Sequence, residues 1–214
     1  AVKAVIVDGA GGKGFCAGGD IRMLAESGKA GGEEAWKFWR DEYQLNTLIF
    51  EYPKPYIALI DGITMGGGVG ISEPAVVRIA TERTTYAMPE TGIGLFPDVG
   101  GGWFLPRLPG QTGVWLALTG ARLKAADTVA LGIHTHFVAS EAVESLKTEL
   151  LAASADPKAV ADRAAGDAGP SPLAPHREAI DRLFAFDTAE EIVAALQAEG
   201  SDWAQKQLDI LKTK

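Results

Sequence analysis

Apolar residues fall along this chain in two rhythms. Short continuous runs cover AVKAVIV at Ala1–Val7, YIALI at Tyr56–Ile60 and VVRIA at Val76–Ala80. Runs without polar alternation predict strands buried on both faces. A fourth, shorter strand is expected at Thr84–Ala87. Between the first two runs, Trp36, Trp39, Tyr43 and Leu45 or Asn46 recur at helical spacing. They predict an amphipathic helix over Glu33–Ile49, ended by Pro53 and Pro55. Strands alternating with helices and glycine loops predict an α/β core with parallel pairing. No repeat of fixed period stands out.

Later in the chain the rhythm is helical. Helices are expected at Lys124–Leu131, Glu141–Ala153 and Pro157–Ala165, with a loop over Gly166–Pro175. Thr188 with Glu191 fits a capping box opening Ala189–Ala198. Ser201 or Asp202 is placed to cap the last helix. The domain reading is an α/β core over residues 1–139 and a helical region over 140–214.

Composition narrows the function classes. Of 214 residues, 47% are hydrophobic and 22% charged, with a formal net charge of −8. That is a globular profile, and the negative charge argues against nucleic acid or an anionic membrane as partner. A single cysteine, Cys16, makes no internal disulfide and no cysteine-rich metal site. No apolar run reaches transmembrane length and no signal-peptide pattern is visible. The first residue is Ala1, already inside an apolar run, and the last is Lys214, inside a helical pattern. A piece of a longer protein, with N-terminal targeting unreadable, is therefore expected.

Glycine is the anomaly: 26 residues, of which 23 precede Ser140. They gather in GFCAGGDIR (Gly14–Arg22), DGITMGGGVGIS (Asp61–Ser72) and MPETGIGLFPDVGGG (Met88–Gly102). Glycine after a strand allows a tight turn or close backbone approach to a ligand. Two such loops could aim two backbone N–H groups at one oxygen, as an oxyanion hole requires. Plain turn formation is the competing reading. The P-loop pattern, a dinucleotide G-x-G-x-x-G and the G-x-S-x-G elbow are all missing.

Together the three segments resemble the crotonase superfamily, in order and over nearly the whole chain, and LTGARLKAADTVALGIHTHFV follows its pattern too. The resemblance implies an α/β crotonase-like spiral of ββα units with a C-terminal helical region. It also implies an acyl-CoA thioester substrate, with coenzyme A part of the substrate and no separate cofactor. The implied oxyanion-hole donors are the N–H groups of Gly19 and Gly67. Superfamily hydratases carry two glutamates; here the first of those positions is Gly70 and the second is Glu90. Asp98 stands where hydratases usually have glycine, and Glu42 matches a substrate-site glutamate.

MPETGIGLFPDVGGGWFLPRL is close to the version found in a hydrolase branch of the superfamily. By that resemblance the expected reaction is 3-hydroxyisobutyryl-CoA plus water to 3-hydroxyisobutyrate plus CoA, in valine breakdown. Glu90 would be general base or nucleophile, with Asp98 and Glu42 orienting substrate or water. The alternatives are an enoyl-CoA hydratase or isomerase, and a non-catalytic acyl-CoA-binding protein or inactive fragment. A homo-oligomer is possible by family habit. The compartment is cytoplasmic for a bacterial source and the mitochondrial matrix for a eukaryotic one.

Other candidates read as structural. Cys16 has no histidine near it and suits a small buried role. His134 and His136 are too few for a metal site, so no metal is expected. Trp36 and Trp39 read as core packing or as a lid on the acyl pocket. Ser72 reads as structural, and Glu73 and Pro74 depart from the family stretch.

Overall fold

The computed structural model describes residues 2–152 and 156–214. The strands are β1 (Val5–Asp8), β2 (Gly14–Cys16), β3 (Tyr56–Ile60), β4 (Ile63–Met65), β5 (Val77–Ala80), β6 (Thr85–Ala87) and β7 (His136–Phe137). The helices up to residue 130 are α1 (Ile21–Lys29), α2 (Glu33–Phe50), α3 (Gly67–Ser72), α4 (Gly101–Phe104), α5 (Thr112–Thr119) and α6 (Ala125–Ala130). They are followed by α7 (Val143–Ala152), α8 (Pro157–Ala164), α9 (Arg177–Leu183), α10 (Ala189–Glu199) and α11 (Asp202–Leu211).

Odd-numbered strands form one sheet in the order β1-β3-β5-β7, and even-numbered strands form a second, β2-β4-β6. Every ladder is parallel. Each of the first three passes lays one strand in each sheet before returning through helix, a winding of ββα units, and the fourth adds β7 to the first sheet.

The burial of β3 explains its unbroken apolar run. Ile57 and Leu59 pack with Val143, Leu146 and Val160 from α7 and α8. Ala58 and Ile60 turn the other way, to Phe15 and Ala75. Both faces are dry, so alternation has no use.

The first strand starts at Val5, later than expected, and Ala1 lies outside the described residues. Val5 N–H donates to Pro55 O at 2.9 Å. The facing segment upstream is Pro53-Lys54-Pro55, whose two prolines offer no N–H to extend the ladder. The strands β2 and β4 and the helices α1, α5 and α9 were not anticipated. Three-residue strands beside glycine carry too little pattern to read. The helix expected over Glu141–Ala153 begins at Val143 after a 3-10 turn, and Ala153 lies outside the described residues. The Thr188–Glu191 capping box is present, and Ser201 caps α11 by accepting from Ala204 N–H.

Residues on both sides of Ser140 share one apolar cluster. Met88, Leu116 and Leu123 pack with Ile180, Phe184, Leu196 and Leu208. Trp115 Nε1–H donates to Gln207 Oε1 at 2.9 Å, both groups buried. The outer face of α2 is different: Trp36 is 67% exposed, so it is not core packing. Asn46 rather than Leu45 turns inward from that helix.

Candidate active site

The first two glycine segments contain β2 and β4 and run on past their ends, and the third follows β6. Because those strands are parallel and adjacent, their carboxyl ends lie side by side and the segments converge. Ligands of parallel α/β sheets commonly sit at such strand ends.

Local packing explains the glycines. A Cβ on Gly68 would lie 2.0 Å from Cys16 O, so β2 and the start of α3 touch backbone to backbone. Gly18 has φ +99, and a Cβ there would stand 3.2 Å from Gly67 N. A Cβ on Gly19 would strike the Phe38 ring at 2.6 Å. Next to Gly19, the Asp20 carboxylate caps α1 by accepting from Arg22 N–H at 3.0 Å and Met23 N–H at 3.1 Å. Gly67 opens α3, where helix geometry leaves its N–H without an intrahelical acceptor.

Acids close the same space. Gly19, Gly67, Glu42, Glu90 and Asp98 all line one cavity of about 350 Å³. A Cβ on Gly67 would lie 2.6 Å from Glu42 Oε1, and one on Gly66 would lie 3.2 Å from Glu90 Oε1. Glu90 is 6% exposed, and neither carboxylate oxygen has a hydrogen-bond partner among the described residues. A larger, open depression of about 580 Å³ on the outer face of α2 contains no acid.

Burial dominates the electrostatics. It pushes Glu90 up to about 7, with nearby Asp98 adding to the rise and the Glu90 backbone N–H opposing it. Glu42 also rises to about 7, through burial first and the charge of Asp98 second. Asp98 is raised by burial, against the pull of its own backbone N–H. Glu90 and Glu42 are thus each divided between protonated and ionised forms near neutrality, as a proton-transferring group needs.

Asp98 sits at the head of a tight turn. Gly101 N–H donates to Asp98 O at 2.6 Å, and the two central residues, Val99 (φ +43) and Gly100 (φ +96), are both left-handed. That is a type I′ turn, which favours asparagine or glycine at its first central position. A valine there costs on the order of 1–3 kcal/mol.

Residues set aside in the sequence have other partners. His134 Nδ1 pairs with Thr128 Oγ1 at 2.8 Å, and burial lowers its pKa to about 3. His136 binds Asp162 at 2.8 Å and Thr135 at 2.7 Å. Ser72 Oγ donates to Gly68 O at 2.8 Å, inside the helix that Gly67 opens. Glu73 is raised to about 7 by burial, partly offset by Arg78. Trp39 lines the cavity, which fits the lid reading; Cys16 does not.

Three residues at or beside the site were missed. Lys214 lines the cavity from the far end of the chain, where no motif marks it. The Asn46 side-chain amide is buried without a partner among the described residues, one helical turn beyond Glu42. Val99 was legible in principle, as a β-branched residue between Asp98 and Gly100–Gly101.

Comparison with known proteins agrees with this geometry. The family model described as enoyl-CoA hydratase/isomerase matches residues 1–214. A relative from Xenopus tropicalis, named "3-hydroxyisobutyryl-CoA hydrolase, mitochondrial", is 53% identical over 98% of this chain and 57% of its own length. The Homo sapiens protein of that name is 48% identical over 97% of this chain and 56% of its own. The chain therefore spans little more than half the length of these relatives. Among solved structures, a carnitinyl-CoA dehydratase from Mycobacterium thermoresistibile superposes with TM-score 0.94 at 43% identity, covering 100% of this chain and 62% of that one. An enoyl-CoA hydratase from Rhodobacter sphaeroides 2.4.1 gives TM-score 0.89 at 41% identity, covering 100% and 61%. Two parallel sheets wound in ββα units, glycine loops meeting at their strand ends and a match along the entire chain place this protein in the enoyl-CoA hydratase/isomerase family, with the crotonase fold.

Proposed function

We propose that this chain carries the catalytic site of an acyl-CoA thioester hydrolase acting on 3-hydroxyisobutyryl-CoA. The observation that carries the reading is the acid set. Glu90 and Asp98 line one cavity with Gly19 and Gly67, whereas position 70 has no room for an acid. A Cβ on Gly70 would lie 2.5 Å from Val99 Cβ. The names of the relatives from Xenopus tropicalis and Homo sapiens support the substrate.

In the proposed mechanism the thioester oxygen lies between the Gly19 and Gly67 N–H groups. Ionised Glu90 takes a proton from water as the water oxygen bonds to the thioester carbon. The carbonyl electron pair moves onto oxygen, where the two N–H groups hold it. The pair then returns, the carbon–sulfur bond breaks, and Glu90 gives its proton to the departing CoA thiolate. Asp98 and Glu42 hold the substrate hydroxyl and the water. The scheme needs no resident cofactor or metal, because CoA arrives as part of the substrate. The compartment we propose is the mitochondrion for a eukaryotic source, as in the named relatives, and the cytoplasm for a bacterial one.

Hydration is the second reading, favoured by the names of the two solved structures at 41% and 43% identity. Assaying the complete gene product for free CoA and for double-bond hydration separates the two. CoA release from 3-hydroxyisobutyryl-CoA with no hydration of an enoyl-CoA is expected; the reverse result refutes the hydrolase.

A further inference from the structure

The turn that carries Asp98 is built against its own backbone preference. Glycine or asparagine takes the first central position of a type I′ turn at ease, and a β-branched side chain does not. Val99 is the one non-glycine residue with positive φ among the described residues, and it is only 4% exposed. Its neighbour accounts for it. A Cβ on Gly70 would lie 2.5 Å from Val99 Cβ and 3.0 Å from Val99 Cγ2. The isopropyl group therefore rests on the bare backbone of α3, the helix that Gly67 opens. Asn46 Nδ2 stands beside it, 3.2 Å from the same point. One side chain ties the turn of the acid to the helix of the oxyanion donor.

We propose that Val99 is a positioning residue for Asp98: packed on Gly70 despite its backbone strain, it pins the Asp98 turn to α3 and so keeps the Asp98 carboxylate in the cavity of Glu90 and in register with Gly67. The proposal rests on the hydrolase reading for its kinetic consequence, but not for its geometry. A strained backbone conformation persists only where its surroundings over-determine it, and such positions cluster at functional sites. A valine that merely filled space would gain by relaxing into an ordinary turn.

The test uses the complete gene product with Val99→Gly and Val99→Asn. Both residues suit the turn, and neither keeps the isopropyl contact. Released strain offsets lost packing, so both variants are expected to melt within a few degrees of wild type. Their kcat for CoA release, per folded molecule, is expected to fall about tenfold to a hundredfold with KM nearly unchanged. Unchanged kcat per folded molecule in both glycine and asparagine variants overturns the proposal, whatever their melting temperatures. Failure of the hydrolase reading looks different: the wild type itself releases no CoA. Positioning is then read by carboxyl-carbon NMR of ¹³C-labelled Asp and Glu. Val99→Gly is expected to move the Asp98 signal and lower the Glu90 titration midpoint; unmoved signals overturn the proposal.

Discussion

Glu42 and Gly67 meet across the cavity: the point a Cβ would occupy on Gly67 is 2.6 Å from Glu42 Oε1. The helix-borne acid and the proposed oxyanion donor thus leave no space for a methyl group between them. Gly67→Ala must displace one or both. Alanine keeps the backbone N–H, so the expected loss comes from moving the Glu42 carboxylate, and kcat should fall by about tenfold to a hundredfold. Circular dichroism should show an intact fold, and steady-state kinetics should put the loss in kcat rather than KM.

Glu90 is the proposed base, so activity should follow its ionisation. With its pKa near 7, kcat/KM is expected to climb with pH through about 7 and then level. Glu90→Gln should remove that limb and lower kcat/KM by about 10²–10⁴. A folded Glu90→Gln protein with near-normal turnover would show that another group is the base.

Stability should run the opposite way. Glu42, Glu73 and Glu90 are each raised from 4.5 to about 7 on folding. A raised carboxyl favours the folded state below its unfolded pKa, and that stability is lost as pH rises through its folded pKa. His134, lowered from 6.5 to about 3, favours folding above its unfolded pKa and so opposes them. Three glutamates should outweigh one histidine, giving a higher melting temperature near pH 6 than near pH 8. Glu90→Gln should flatten that drop, which differential scanning calorimetry can measure.

Position 70 is closed by Val99. Gly70→Glu would place its Cβ 2.5 Å from Val99 Cβ, inside van der Waals contact. Overpacking of this kind costs about 1–3 kcal/mol. The variant is expected to lose melting temperature and gain no hydratase activity, although it restores a glutamate at the position hydratases use. Enoyl-CoA hydration assayed beside thermal unfolding checks both halves.

The two halves of the chain are joined by Trp115 and Gln207, 2.9 Å apart and buried. Gln207→Leu leaves the indole N–H buried without an acceptor, at a cost of about 1–3 kcal/mol. One cooperative transition at lower temperature is expected from calorimetry; two separate transitions would mean that the halves fold independently.

Much of this architecture was legible before any coordinates. YIALI at Tyr56–Ile60 announced β3 because a strand buried on both faces cannot alternate, and Thr188 with Glu191 announced α10 because capping is local chemistry. That Gly19, Gly67, Glu90 and Asp98 line one cavity was legible through the resemblance, whose pattern spans separate segments; their roles are proposals. In the second sheet β6 was, expected at Thr84–Ala87 and found at Thr85–Ala87, but β2 and β4 were not. Its three-residue strands are set by parallel pairing with distant partners, such as Ile63 with Thr85, and pairing of that kind leaves no local periodicity. Nor was the part played by Val99. What holds a valine at that turn becomes apparent only when Gly70, far back in sequence, is seen beneath it. Trp36 misled because helical spacing tells which residues share a face, not which face is covered.

The cluster that joins Leu116 and Met88 to Leu196 and Leu208 bears on how the chain is made. Parallel ladders pair segments far apart in sequence, which slows folding. Here the apolar floor beneath the Glu90 segment includes α11, which follows all seven described strands in sequence. Until then Met88, Leu116 and Trp115 lack part of their apolar cover on a nascent chain already carrying all three glycine segments. Exposed surface of that kind invites aggregation. Engagement of the nascent chain by chaperones before α11 emerges is the expected consequence.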